Sequence, residues 1–195
     1  MKSACHTPKN AITAFLGIIL FTVPVFAIAI QKPQPAQFSV NAINSSETVK
    51  SGTQNQVLAK LQINAPDDAV LISSMRLKIN ASGRGGRVRD ISNIVLKDDQ
   101  GKIVAKSRAR VTAFSGTVLF RPAGSGIEGR FITFPSGSHA YTVEATLGRA
   151  LLSGQVITVS TIPARDWRDI RARTKLLPVA RTNLKAAVSL KATVH

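Results

Sequence analysis

The residues best suited to covalent chemistry in this 195-residue chain are one histidine and its serine neighbours. His139 lies beside Ser136 and Ser138 in a Pro-Ser-Gly-Ser turn. A nucleophilic triad needs a serine, a histidine that takes its proton and an acid that orients the ring. Neighbours within one turn rarely converge in that geometry, and the chain has no Gly-x-Ser-x-Gly elbow. We therefore predict that His139 is an exposed strand-end residue, that a His139→Ala change leaves function intact, and that the protein is not an enzyme.

Two pairs of neighbouring carboxylates are the candidate metal ligands. Asp67-Asp68 and Asp98-Asp99 could supply oxygen ligands to calcium, but neither pair fits an EF-hand loop. Aspartates in turns usually accept hydrogen bonds from nearby backbone N–H groups. The single cysteine, Cys5, and a total of three histidines exclude a cysteine cluster and a histidine-rich site. We predict that the protein uses no metal and no cofactor.

The strongest signal is charge, because 26 Lys and Arg stand against 10 Asp and Glu, a net charge of +16. Such a field concentrates anionic molecules near the protein surface. The cations that we predict to contact an anionic surface lie in a Gly-rich segment over residues 82–89, within residues 106–110 and in the C-terminal tail: Arg84, Arg87, Arg89, Lys106, Arg108, Arg110, Arg165, Arg168, Arg171, Arg173 and Lys175. The Gly-rich segment lacks the aromatic residues that stack on bases. Specific nucleic-acid recognition is therefore not expected.

The N-terminus predicts export. Lys2 and Lys9 precede 20 uncharged residues, 11–30, which end in the small-x-small pattern of Ala27 and Ala29. This is typical of a signal peptide over residues 1–29, cleaved after either alanine. An uncleaved membrane anchor is the alternative, because 20 helical residues rise about 30 Å and reach across a bilayer. Residues 30–37, with Pro33 and Pro35, predict a short extended spacer. The protein is thus expected to be extracellular, periplasmic or at the cell surface.

The segment 38–162 predicts an all-β domain. Its apolar residues recur at every second position, as in Tyr141, Val143, Ala145 and Leu147, and no long helical period is present. Leu71, Ser73, Met75, Leu77 and Ile79 predict one further inward-facing run. Gly, Pro and Asp clusters separate about eight to ten short strands. This pattern favours a β-sandwich, although a closed barrel would produce the same alternation.

Several of these strands and turns resemble a known class of module. The segments that carry the resemblance are LKDDQG (96–101), ITFPSGS (132–138), AYTVEATL (140–147), SGQVITV (153–159) and SGTQNQVLAKL (51–61). They are similar to segments of immunoglobulin-like β-sandwich modules of bacterial cell-surface proteins. The resemblance implies a role in display, assembly or adhesion and brings no catalytic residue. The chain departs from immunoglobulin domains in lacking the cysteine pair, and its only tryptophan, Trp167, follows the last predicted strand.

Residues 163–195 form a basic C-terminal tail, with eight Lys and Arg against Asp166 and Asp169. Residues 164–177 predict a short helix ended by Pro178, or an edge strand over Asp166–Ile170. From Val179 onward the tail is consistent with a flexible arm, with a strand donated to a neighbouring molecule, or with packing within its own domain. Self-assembly through the tail is therefore one predicted interaction.

Together these features predict a secreted or surface-anchored, non-enzymatic β-sandwich protein with a structural, adhesive or assembly role at the bacterial envelope. The expected partner is an anionic envelope polymer or a membrane surface. The alternative is a module that binds a carbohydrate or an anionic polysaccharide. The small number of aromatic residues counts against neutral sugars, whose faces stack on aromatic rings.

Overall fold

The computed structural model describes residues 37–43, 47–83, 90–107, 115–124, 128–174, 179, 184 and 186–195, all within a compact unit that covers residues 34–195. The predicted signal segment with Ala27 and Ala29 lies outside the described residues, as do Arg84, Arg87, Arg89, Arg108, Arg110 and Lys175. No helix among the residues that the structure describes is long and apolar enough to cross a membrane.

The described part of the chain is nearly all β, which confirms the predicted class. One α-helical turn, α1 (Pro163–Asp166), and one 3-10 turn (Glu128–Arg130) interrupt it. The strands are β1 (Ser39–Ala42), β2 (Glu47–Val49), β3 (Gln56–Ala65), β4 (Val70–Ile72), β5 (Ser74–Ser82), β6 (Ile91–Lys97), β7 (Ile103–Ser107), β8 (Ser115–Pro122), β9 (Ile132–Phe134), β10 (Gly137–Leu147), β11 (Val156–Thr161), β12 (Trp167–Arg168), β13 (Arg171–Ala172) and β14 (Val188–Val194).

The strands form two sheets of unequal size rather than two similar layers. The larger sheet has the order β1-β3-β10-β6-β7-β8-β5-β11-β14-β2, with β12 paired to β5. The smaller sheet has the order β13-β4-β9. The larger sheet curls, so that its two ends approach each other, and the Lys60 ammonium on β3 lies 2.6 Å from the Glu47 carboxylate on β2. This curvature explains why the alternation fitted a sandwich and a barrel equally well.

Aromatic side chains join the two sheets. Phe134 on β9 makes an edge contact with Tyr141 on β10, with ring centroids 5.1 Å apart, and stacks on Trp167 at 5.7 Å. Phe38 lies 6.1 Å from Phe134 and 6.0 Å from Trp167. The buried indole N–H donates to the Thr161 hydroxyl, which donates to the Arg76 carbonyl. Trp167 therefore belongs to the core, although it follows the last strand that was predicted for the domain.

The predicted run from Val70 to Ile79 is broken at Ser73. Val70 and Ile72 are buried in the smaller sheet, whereas Met75, Leu77 and Ile79 are buried in the larger one. The prediction that Leu71 faces the core was wrong, because the break shifts the alternation of buried residues by one position. The Ser73 amide donates to the Arg168 carbonyl at this point.

The basic tail contributes to the same sheets. Over the described residues 164–174, the predicted helix is reduced to α1, whereas the alternative of a strand within Asp166–Ile170 is confirmed in part, since β12 lies beside β5 and is followed by β13 beside β4. Val188–Val194 forms β14, which pairs antiparallel with β11 and parallel with β2. Its alternate residues Val188, Leu190, Ala192 and Val194 are buried. For this stretch the flexible-arm and donated-strand alternatives do not hold, because the strand fills a place in its own sheet.

Candidate functional site

Both ring nitrogens of His139 lie within hydrogen-bond distance of acceptors in the protein. The His139 Nδ1 atom lies 3.1 Å from the Asp99 carboxylate, and Nε2 lies 3.0 Å from the Ser136 carbonyl oxygen. The Ser138 hydroxyl accepts a hydrogen bond from the Gln62 amide. The Asp99 hydrogen bond, followed by the Ser136 carbonyl, raises the pKa of His139. Since both ring nitrogens face acceptors, neither is placed to take a proton from a serine.

Both aspartate pairs bind backbone N–H groups. The Asp98 carboxylate accepts from the amides of Gln100 and Lys102, across the turn that Gly101 closes with a φ of 78°. Asp68 accepts from the amide and hydroxyl of Thr174 and from the Ala69 amide. The Thr174 amide is the main cause that lowers the pKa of Asp68. Among the described residues, no three His, Cys, Asp or Glu side chains are grouped so as to hold a metal ion.

The candidate functional site is a basic face on the outer side of the larger sheet. Strands β7, β8, β5, β11 and β14 are consecutive in the sheet, and β12 lies beside β5. These six strands contain no Asp or Glu, and each of their six cations is exposed. We define the basic face by these cations: Arg76, Lys78, Lys106, Arg121, Arg168 and Lys191. At the usual strand spacing, five adjacent strands span about 20 Å.

The alternation that builds the core also produces this face. On β5, Met75, Leu77 and Ile79 are buried, which places Arg76 and Lys78 on the opposite side of the sheet. On β14, the same rule places Lys191 outward. Across the strands, Thr158 is the partner of both Asn80 and Lys191, so that β5, β11 and β14 present one continuous outer surface.

Two of the cations directly oppose each other. Lys106 on β7 is the cross-strand partner of Arg121 on β8. Like charges at directly opposed positions destabilise a sheet, because their Cβ atoms are only about 5 Å apart. No ion pair joins either side chain to an acid within the described residues. By contrast, Lys97 on β6 bonds Glu144 at 2.6 Å and Lys60 on β3 pairs with Glu47.

An open cleft of about 680 Å³ lies at one end of the basic face. Among the residues that the structure describes, its lining combines three cations with two serines and contains no carboxylate or aromatic side chain: Ser73, Ser74, Lys106, Leu119, Arg121, Pro122, Ala123, Gly124, Gly129 and Arg130. The Ser73 hydroxyl donates to Asp169, which lies outside the lining, at 2.5 Å. Gly129 is required in this wall, because a Cβ there would lie 2.4 Å from the Gly124 carbonyl oxygen.

The remaining predicted contact residues lie in other surroundings. Arg165 bonds the Asp166 carboxylate at 2.8 Å, and this bond raises the pKa of Arg165. The Arg171 guanidinium covers the Phe131 ring at 4.3 Å. Arg173 is exposed near Asp68, whose pKa it helps to lower. Of the described cations that were predicted, only Lys106 and Arg168 lie on the basic face.

Sequence reasoning missed Arg76, Lys78, Arg121 and Arg130 as contact residues, and it counted Lys191 only among the cations of the tail. A usable signal was present for most of them, because each of β5, β8 and β14 reads as an alternating strand with cations and no acid at its outward positions. Arg76 has a carboxylate nearby, since its charge is among the causes that lower the pKa of Asp166, although desolvation works against that shift.

No family model matches the sequence, and no curated protein matches it. Among solved structures, the chain is similar to one from a cohesin–dockerin complex of Clostridium thermocellum, with TM-score 0.42, 10% identity, and coverage of 82% of this chain and 99% of that one. It is also similar to AvmM, which catalyses macrocyclization in alchivemycin A biosynthesis, with TM-score 0.37, 12% identity, and coverage of 81% and 89%. A third is the collagen-binding subdomain of the Enterococcus faecalis surface protein ACE, with TM-score 0.30, 10% identity, and coverage of 83% and 99%. Likeness at this level assigns neither a family nor a function.

Proposed function

We propose that this protein is an exported, non-enzymatic β-sandwich protein that holds on to an anionic polymer of the bacterial envelope through its basic face, in a structural, adhesive or assembly role. The observation that carries the proposal is the distribution of charge. Six exposed cations lie on five of six neighbouring strands, none of which contains an acid. Elsewhere in the sheet, Lys60 and Lys97 each have a glutamate partner.

The directly opposed pair favours a ligand over a purely solubilising role. Solubility requires net charge, but it does not require that Lys106 and Arg121 stand opposite each other, an arrangement that lowers stability by up to about 1 kcal/mol. A polyanion lying across the strands removes this cost, because each anionic group attracts both cations. Release of its counterions adds a favourable term that weakens as salt rises.

The test measures retention of the full chain on isolated bacterial envelope, on double-stranded DNA and on a neutral polysaccharide across a salt series. We expect retention on both anionic surfaces, with an affinity that falls steeply with salt. In the Lys78→Gln/Lys191→Gln variant, the dependence of log K on log salt becomes shallower. The matched control is Lys50→Gln/Lys102→Gln, which removes the same charge from exposed positions outside the basic face.

Equal effects of the two double variants would overturn the proposal, because net charge alone would then explain retention. Binding to the neutral polysaccharide that persists at high salt would replace it with the carbohydrate-binding alternative.

A further inference from the structure

Strand register places four residues of the basic face in one row. Arg168 on β12 pairs with Ser74 on β5, and Lys106 on β7 pairs with Arg121 on β8. Met75 on β5 pairs with Phe120 on β8, so that continuing the register by one residue sets Ser74 opposite Arg121. The order across the sheet is therefore Arg168, Ser74, Arg121 and Lys106. At the usual strand spacing this row is about 15 Å wide.

The cleft lies over this row and receives a further cation from another element. Ser74, Arg121 and Lys106 line it, and Arg130 joins them from the 3-10 turn that Gly129 holds against Gly124. Lys106 and Arg121 thus reach the cleft from two strands, and Arg130 reaches it from a turn. The described lining residues include no carboxylate, and the Ser73 hydroxyl in the lining donates to Asp169 outside it.

The donors in the cleft define the chemistry of the group that they would hold. Arginine offers a planar fork of N–H donors, lysine a compact charge and serine a hydroxyl. A planar carboxylate is satisfied by one arginine fork, whereas a tetrahedral oxyanion presents oxygens in several directions and can bond cations that arrive from different elements. None of the described lining residues is aromatic, so they offer no platform for a sugar ring. The volume of about 680 Å³ leaves room for the molecule to which such a group is attached.

We infer that this cleft binds the tetrahedral oxyanion of a phosphate or sulfate ester, with Lys106, Arg121 and Arg130 as its charged contacts and Ser74 as a hydroxyl donor. The inference rests on the proposed function in one respect, because it specifies the anionic group that the polymer carries. The rest of the basic face then supplies non-specific attraction, and the cleft supplies a shaped site.

The test uses the full chain and small ions, so that polymer effects are absent. Inorganic phosphate, sulfate and acetate are titrated calorimetrically at constant ionic strength, with chloride as the balancing ion. Phosphate or sulfate is expected to bind with clear saturation and acetate is not. The ion that binds more tightly shows whether the cleft prefers a phosphate or a sulfate group. Arg121→Gln should weaken this binding about tenfold or more, since it removes charge-assisted hydrogen bonds.

The matched control is Lys78→Gln, which lies on the basic face outside the cleft and should change binding less than about twofold. Lys106→Gln provides a second variant within the cleft. Equal affinity for acetate and phosphate, an absence of saturation, or equal weakening by Arg121→Gln and Lys78→Gln would overturn the inference. Each of these outcomes can coexist with intact polymer retention, whereas saturable phosphate binding without polymer retention would overturn only the proposed function.

Discussion

Reversing the charge of Arg121 should make the unliganded protein more stable. Arg121 and Lys106 are exposed cross-strand partners, and a like-charged pair at such positions costs about 0.2–1 kcal/mol. Arg121→Glu replaces that repulsion with an attraction of similar size. The combined gain is about 1 kcal/mol, which raises the melting temperature by about 2–4 °C in a domain of this length.

The assay is thermal and urea denaturation of wild type, Arg121→Glu and Lys106→Glu at low salt and at 1 M salt. Either single reversal should increase the free energy of unfolding. The double reversal should lose most of the gain, because two glutamates then oppose each other. At 1 M salt the Debye length falls to about 3 Å and the differences should shrink. Lys50→Glu, which changes the net charge equally, measures the general relief of repulsion in a chain of charge +16.

Repulsion between Lys106 and Arg121 is refuted if Arg121→Glu is no more stable than Lys50→Glu at low salt. It is also refuted if the single and double reversals are additive, because side chains that touch must show a coupling energy. A stability gain accompanied by weaker polymer retention would show that the positive pair serves binding at the expense of folding.

Three further predictions concern the parts of the fold that support the face. The Asp99 hydrogen bond raises the pKa of His139, so the stability from this interaction should be fully present below the unfolded pKa of about 6.5 and lost as pH rises through the raised folded pKa. Relative to His139→Gln, wild type should lose less than about 1 kcal/mol of unfolding free energy between pH 5 and 9, measured by urea denaturation. A gain in stability with rising pH would contradict the His139–Asp99 hydrogen bond. Phe134→Ala should lower the free energy of unfolding by about 3–5 kcal/mol, since that ring contacts three other aromatic rings, and a loss below about 1 kcal/mol in the same assay would refute its central position. A chain that ends before Val188 lacks β14 and should unfold or aggregate, because β11 and β2 lose their shared partner; native circular dichroism with an unchanged melting temperature would be inconsistent with this pairing.

Several features were predictable because they depend on neighbours within one segment. The alternation of Tyr141, Val143, Ala145 and Leu147 predicted a strand with one buried side, and all four are buried. The turn at Asp98–Gly101 was predictable for the same reason, since its aspartate accepts hydrogen bonds from backbone amides no more than four residues away. Local rules succeed here because the interactions that they describe are local.

Other features were not predictable because they depend on which distant segments pair. Nothing near Ser73 indicates that the chain leaves one sheet and enters another, since that break depends on the approach of Arg168, far along the sequence. The sequence left open whether Trp167 lies on a helix or on an edge strand, because its partners Phe38 and Phe134 meet it only when the two sheets are packed.

The amino-acid sequence by itself determined the all-β class, the inward and outward sides of most strands and a strongly positive charge, because these follow from residue type and a spacing of two. Only the tertiary structure decided which cations stand together. Lys106 and Arg121 become opposed through the β7–β8 register, and Arg168 and Lys191 join them because the C-terminal tail returns to the same sheet. The physical reason is that strand pairing brings residues distant in sequence to within about 5 Å, a relation that no local pattern contains.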